Sequence, residues 1–232
     1  MAVQGRTRAV DRTPRIAFPR AEVKPRFLWC VLTLLASVAA RAGTEPTMQS
    51  IGSSPPETPF AFGAKEFQNV TGAFFFFDTT RNQRPSIDYA LDSIRLGIML
   101  NDPWNLGPLT GNFELLGEIF AGPVVTGPGN ALAGGSLVFR YNFVQPRALL
   151  LPYLQIGAGG VYTDIPEKES RGLITLPVEF NLQAGVGTRF MLNNRWSLVV
   201  EGVYRHISNA EIKKPNYGID SVGGNLGFGF SF

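Results

Sequence analysis

The C-terminal stretch, residues 218–232, constrains this chain most. There Val222, Leu226, Phe228, Phe230 and Phe232 alternate with Ser221, Gly223, Asn225, Gly227, Gly229 and Ser231, and Gly224 is the one small residue in the apolar row. A period of two belongs to a β-strand, which sends successive side chains to opposite surfaces. Residues 174–191 repeat the pattern, setting Phe180, Leu182, Val186 and Phe190 against Asn181, Gln183, Gly185, Gly187 and Arg189. A strand with one wholly apolar row and one small or polar row suits a barrel wall between lipid and a narrow interior.

From Phe67 onward, segments of this kind are separated by Gly, Pro, Asn and Asp clusters. They are read at 67–78, 87–100, 109–123, 131–143, 149–162, 174–191, 195–209 and 218–232. The expected fold is all-β, an eight-stranded antiparallel transmembrane β-barrel, and the even strand number puts both termini on one side. The inward rows contain Arg95, Glu114, Glu118, Arg140, Glu201 and Arg205. That mixed-sign set can pair within the small space that eight strands enclose, so a lumen filled with side chains is expected rather than a pore.

Residues upstream of the barrel read differently. The longest apolar run, Phe27 to Ala40, is too short for a spanning helix, which needs about 20 residues. It follows a basic segment with Arg6, Arg8, Arg12, Arg15, Arg20, Lys24 and Arg26 and leads into Ala40-Arg41-Ala42. Residues 1–42 are therefore read as a secretory signal with cleavage before Gly43, its long basic part pointing to a start codon assigned too far upstream. Residues 43–66, with Ser53-Ser54-Pro55-Pro56 at their centre, are read as a flexible leader, and 67–232 as the barrel.

Removing the signal changes the charge argument. The chain has 21 Lys/Arg and 18 Asp/Glu, of which eight and two lie in residues 1–42, leaving 13 and 16. The formal charge thus moves from +3 to −3, and the basic balance gives no ground for nucleic acid as a partner. Cys30, the single cysteine, lies inside the signal and lacks the small residues expected before a lipid-modified cysteine. No thiol chemistry is expected of the mature protein. The chain ends on Phe232, preceded at alternate positions by Phe230 and Phe228. This resembles the C-terminal signal by which bacterial outer-membrane barrels reach their assembly machinery, and it points to that machinery as a partner and to the outer membrane as the location.

The chemistry-bearing residues gather in the last two segments, where 204–220 reads Tyr-Arg-His-Ile-Ser-Asn-Ala-Glu-Ile-Lys-Lys-Pro-Asn-Tyr-Gly-Ile-Asp. His206, Ser208, Asn209, Pro215, Asn216, Gly218 and Asp220 follow a pattern of His-x-Ser-Asn, then Pro-Asn-x-Gly, then an acid fourteen positions after the His. The segment resembles the PagL family of lipid A 3-O-deacylases. The resemblance implies a serine hydrolase on a barrel that removes an ester-linked 3-hydroxyacyl chain from lipid A. Ser208 would be the nucleophile, His206 the general base and Asp220 the acid that orients it. It further implies Asn216 and the backbone N–H of Glu211 as oxyanion donors, with Asn209 in support, and no cofactor.

Strand geometry independently allows the triad. His206 and Ser208 are two apart and share a face with Trp196, Leu198, Val200 and Tyr204, the lipid-facing row, while Asp220 shares the lipid-facing row of the next strand. With periplasmic termini, the 210–217 connection is extracellular and the three side chains sit at the outer-leaflet level, where lipid A lies. Two positions depart from the family pattern. The acid, often Glu, is Asp220, one methylene shorter, and Glu211 replaces a small residue at a place where Gly suits the backbone angle.

Each residue also has a plainer role. Tyr204 and His206 fit an interfacial aromatic belt, Ser208 and Asn209 a strand-end turn, and Asp220 a solvated loop acid. Lys213 and Lys214, with Arg81, Arg84, Lys168 and Arg171, could meet lipid A phosphates or remain solvated beside Asp164, Glu167 and Glu169. One His in the whole chain excludes a His-rich metal site but not a carboxylate site for a hard cation, and no metal ligand is assigned. A phospholipid esterase and a non-catalytic barrel, structural or carrying a small ligand, stay open as alternatives. So does a homodimer.

Overall fold

A computed structural model describes residues 58–78 and 84–232. The expected signal peptide with Cys30, the expected leader up to residue 57 and Arg81 lie outside the described residues. The strands are β1 (Lys65–Phe76), β2 (Asp88–Met99), β3 (Gly111–Thr126), β4 (Ala131–Phe143), β5 (Leu150–Thr163), β6 (Val178–Met191), β7 (Trp196–Ser208) and β8 (Ile219–Ser231). Each pairs antiparallel with the next, and β8 returns to β1 to close the barrel. Closure leaves no strand edge, so every wall position has a neighbouring backbone to bond with, which is what a non-aqueous surrounding demands.

The two faces are sorted as the alternation predicts. On β8, Leu226 is 64 % exposed while the adjacent Asn225 is 5 % exposed. The outward rows carry Leu96, Ile119, Leu137, Ile156, Val186 and Leu226, and the inward rows carry charge. Such a barrel is apolar outside and polar inside, the reverse of a water-soluble one, and its wall suits hydrocarbon. At the end of the barrel where β1 begins and β8 ends the outward surface becomes aromatic, where Trp196 packs on Phe228 and Phe230, and Phe230 stacks on Phe232.

Inside, four arginines and four glutamates interlock. Arg95 binds Glu118 and Glu201, Arg140 reaches Glu114 and Glu201, Arg189 bridges Glu66 and Glu114, and Arg205 binds Glu118. All eight side chains are sealed from solvent, and charges so desolvated persist only because each sign meets the other at hydrogen-bonding distance. The terminal end is filled by Phe60, Ala64, Met99 and Leu151, and the opposite end by Ile165, Leu173, Ile174, Ile207 and Ile219. The described barrel is packed, not porous.

All the strands but β4 are offset at one or both ends from the sequence reading, by one to four residues, and two of these shifts change the packing. The first strand begins at Lys65, not Phe67, so Glu66 is an inward residue of β1 and supplies a carboxylate to Arg189. The sixth begins at Val178, not 174. Residues 174–177 fold over the barrel end instead, because the Glu179 carboxylate accepts the backbone N–H groups of Thr175 and Leu176. Pro177, with no N–H to give a ladder, ends that turn.

The end away from the termini carries the longer connections. The β5–β6 connection contains a short helix, α1 (Glu167–Ser170). Asp164 at its start accepts the backbone N–H of Asn130 and of Ala131 in the β3–β4 turn. Those bonds, the one from Asn130 foremost, hold its carboxyl below the ordinary aspartate range.

Candidate active site

β7 turns Trp196, Leu198, Val200, Gly202, Tyr204, His206 and Ser208 outward and Glu201, Val203, Arg205 and Ile207 inward. The outward row is apolar along most of its length and becomes polar in its last two residues. Asp220, the second residue of β8, stands directly opposite His206 in the β7–β8 ladder. Adjacent cross-strand positions bring side chains on one face within a few ångströms of each other.

At this place they meet. His206 Nδ1 is 2.8 Å from Asp220 Oδ1, and His206 Nε2 is 2.9 Å from Ser208 Oγ. A carboxylate only accepts hydrogen bonds, so the ring proton sits on Nδ1 and leaves Nε2 to accept from the serine hydroxyl. The His206 and Asp220 side chains are 29 % and 21 % exposed, open on the outward side. The arrangement is that of an alcohol, a base able to take its proton, and an acid that fixes the base's tautomer.

The connection that follows Ser208 is braced on several sides. Asn216 Oδ1 accepts the Asn209 backbone N–H, closing residues 209–216 into a loop. The buried Asn209 donates to Thr175 Oγ1 and to the Lys213 carbonyl. Tyr217 N donates to Gly172 O and Gly218 N to Leu173 O, which ties this loop to the β5–β6 connection. Gly218 has φ +76°, and a Cβ there would come within 2.8 Å of His206 Cε1 and 3.2 Å of Ser208 Cβ. Only glycine suits both that angle and that closeness.

Ala210 and Glu211 both adopt left-handed backbone angles, φ 52° and 64°. Non-glycine residues rarely do so, at a cost of order 1 kcal/mol each. Ile212 N bonds back to Asn209 O across them.

The other expected site residues are distributed as follows. The Asn216 amide was expected to face an oxyanion. Its NH2 group is instead directed to Leu173 O and the Glu179 carboxylate, where the buried Glu179 Oε2 needs a donor. Glu211 pairs with Lys214 at 2.8 Å and Lys213 with Glu167 at 2.6 Å, both pairs at the surface. Arg84 lies over the Tyr217 ring.

Sequence reasoning missed three contributors. Tyr204, counted as part of an aromatic belt, donates its hydroxyl to Asp220 Oδ1 at 2.6 Å. Thr175 and Glu179 hold the loop through Asn209 and Asn216. Their roles depend on contact between two separate connections, which no local spacing encodes.

A shallow apolar groove of about 570 Å³ runs along the outward wall below the triad, lined by Leu154, Ile156, Ala184, Gly202, Tyr204 and Val222. It exists because the outward row is small there. Ala184 stands opposite Tyr204, Gly202 opposite Gly224, and a Cβ on Gly202 would meet nothing within 4 Å.

Two of the solved structures to which the chain is similar are proteins of the outer membrane or cell surface by their descriptions. One is described as the outer membrane enzyme PagL, with 20 % identity, 70 % of this chain and 97 % of that chain covered, and a TM-score of 0.48. The other is Neisserial surface protein A (NspA), with 14 % identity, 73 % and 97 % covered, and a TM-score of 0.48. No curated protein matches. A family model described as lipid A 3-O-deacylase (PagL) matches residues 91–229, more than half of the chain and a span that contains His206, Ser208 and Asp220. The chain belongs to the PagL family.

Proposed function

We propose that this outer-membrane β-barrel is a lipid A 3-O-deacylase, a serine esterase that removes the ester-linked 3-hydroxyacyl chain. The observation that carries the reading is the continuous hydrogen-bonded line Ser208, His206, Asp220 on the outward face, taken with membership of the family. The side chains face the surrounding lipid, so a substrate that diffuses within the leaflet reaches them without leaving it. With the termini periplasmic, the site end of the barrel is extracellular, the leaflet in which lipid A resides.

In this mechanism Ser208 Oγ attacks the ester carbonyl as His206 Nε2 takes its proton. Asp220 holds the imidazole and stabilises the imidazolium that forms. The oxyanion is stabilised by backbone N–H groups following the serine, with Glu211 N the principal candidate. The left-handed angle at Glu211 is the conformation that a small residue would otherwise supply, and the donor is a main-chain group that any residue except proline provides. Collapse expels the sugar hydroxyl, which takes the proton from His206. Water then attacks the acyl-serine with the same base assisting, and the free 3-hydroxy fatty acid departs. The groove below Tyr204 would seat the acyl chain, and Lys213 and Lys214, in the same loop, would lie within reach of lipid A phosphates.

The test uses purified, refolded protein and lipid A in detergent. The wild type releases the 3-linked hydroxyacyl chain, and Ser208→Ala and His206→Asn each abolish release while still forming heat-modifiable barrels. Full activity of Ser208→Ala excludes the nucleophile assigned here.

The segments outside the site complete the reading. Residues 1–42 serve as the signal peptide and the segment after it as a periplasmic leader, and Phe232 presents the C-terminus to the assembly machinery.

A further inference from the structure

The geometry points to Tyr204 as a positioning residue for the acid of the triad, holding Asp220 in the one orientation that serves His206. The inference rests on the esterase reading above and adds a fourth side chain to it.

Asp220 Oδ1 receives two hydrogen bonds, from Tyr204 Oη at 2.6 Å and from His206 Nδ1 at 2.8 Å. Both donors come from β7, two residues apart on one outward row, and converge on one atom of β8. A carboxylate on a short aspartate stem turns about its terminal torsion with little resistance, that torsion being broad and nearly two-fold. One donor alone would let the group swing and present either oxygen at varying angles. Two donors on a single oxygen, from fixed places on a rigid strand, remove that freedom. The tyrosine ring is itself braced by Phe77, 6.2 Å away between centroids.

The side chain is placed for this role and poorly placed for a merely interfacial one. Tyr204 remains 38 % exposed, yet its hydroxyl turns back along the wall to the carboxylate. A charge-assisted hydrogen bond is shorter and stronger than a neutral one, which fits the 2.6 Å separation. The ring meanwhile lines the apolar groove beneath the serine, so one residue touches both the acid and the surface proposed for the acyl chain.

Tyr204→Phe keeps the ring and removes only the donor. We expect kcat on lipid A to fall by about tenfold, the scale of losing one hydrogen bond to a charged group, with KM within about twofold of wild type. In an Asp220→Ala background the same substitution should cause no further loss, since groups acting as one unit are not additive. A second readout needs no catalysis. The chain has one histidine, so the Nδ1–H resonance of His206 is unambiguous in ¹⁵N-histidine-labelled protein in micelles, and it should shift or broaden in Tyr204→Phe.

An unchanged kcat, a rise in KM at constant kcat, an equal further loss in the Asp220→Ala background, or an unmoved Nδ1–H resonance each overturns the assignment. If the wild type releases no acyl chain from lipid A, the esterase reading fails, and the resonance still decides whether Tyr204 holds Asp220.

Discussion

His206 and Asp220 are directly opposed residues of β7 and β8, and their side chains close to 2.8 Å on the outward face of the barrel. The shorter acid therefore reaches the imidazole from its own ladder position, with no help from loop movement. Asp220→Ala should lower turnover while leaving folding intact, and Asp220→Glu should retain activity, because the extra methylene can be absorbed toward the open outward side. The assay is acyl release by refolded variants of equal heat-modifiability. An indifferent Asp220→Ala combined with an inactive Glu211→Ala would make the loop carboxylate the working acid.

Gly218 backs His206 so closely that a single methyl group is enough to disturb it. Gly218→Ala places a Cβ 2.8 Å from His206 Cε1 and 2.9 Å from the Ile207 carbonyl, at a φ of +76°. We expect loss of most activity and a stability decrease of about 1 kcal/mol or more from the left-handed angle. Activity and urea-unfolding midpoint, measured on the same preparation, check both parts. Wild-type turnover in this variant would mean that the imidazole does not need its present seat.

Arg189 is bonded at once to Glu66 and Glu114 deep in the lumen. Arg189→Ala strips the buried Glu66 of its closest partner and leaves Glu114 to Arg140 alone, and should cost about 3–5 kcal/mol, the scale of breaking a buried pair from one side. The triad lies on the other face of the wall, so any variant that does fold should keep its turnover per folded molecule. Unfolding titrations in the presence of lipid or detergent measure the first effect and specific activity the second.

The lipid-facing assignment has its own test. Leu226 stands in the middle of β8 and is largely exposed. Leu226→Arg should destabilise the barrel in bilayers by about 2–4 kcal/mol, whereas basic residues near the interface cost about 0–1 kcal/mol. A water-facing wall would accept the arginine at no cost, so folding of this variant into vesicles of defined thickness separates the two surfaces.

Much of this architecture is legible in sequence because a strand encodes its two faces by alternation alone. Leu226 against Asn225 and Leu182 against Gln183 can be assigned without coordinates, and so can the shared face of His206 and Ser208. The hairpin adds the neighbour, which is why Asp220 is also found. Glu66 was hidden by its place at the end of a Pro- and Ser-rich stretch, where nothing local marks the first strand residue. The direction of the Asn216 amide is hidden for a different reason. The residue's spacing marks it as part of the motif, but its amide is drawn to Leu173 and Glu179 by a contact between two connections. Tyr204 shows the remaining limit, since alternation gives the row on which a side chain lies and leaves open which atom its hydroxyl meets.

The central claim is that Ser208 cleaves an ester of lipid A in the membrane. Mass spectrometry of lipid A from Gram-negative cells expressing this protein tests it most directly, with Ser208→Ala expressed to the same level beside it. The wild type should yield lipid A lighter by one 3-hydroxyacyl chain, and Ser208→Ala unaltered lipid A. Unaltered lipid A in cells that carry the folded wild-type barrel, or the same loss of mass with Ser208→Ala, would contradict it.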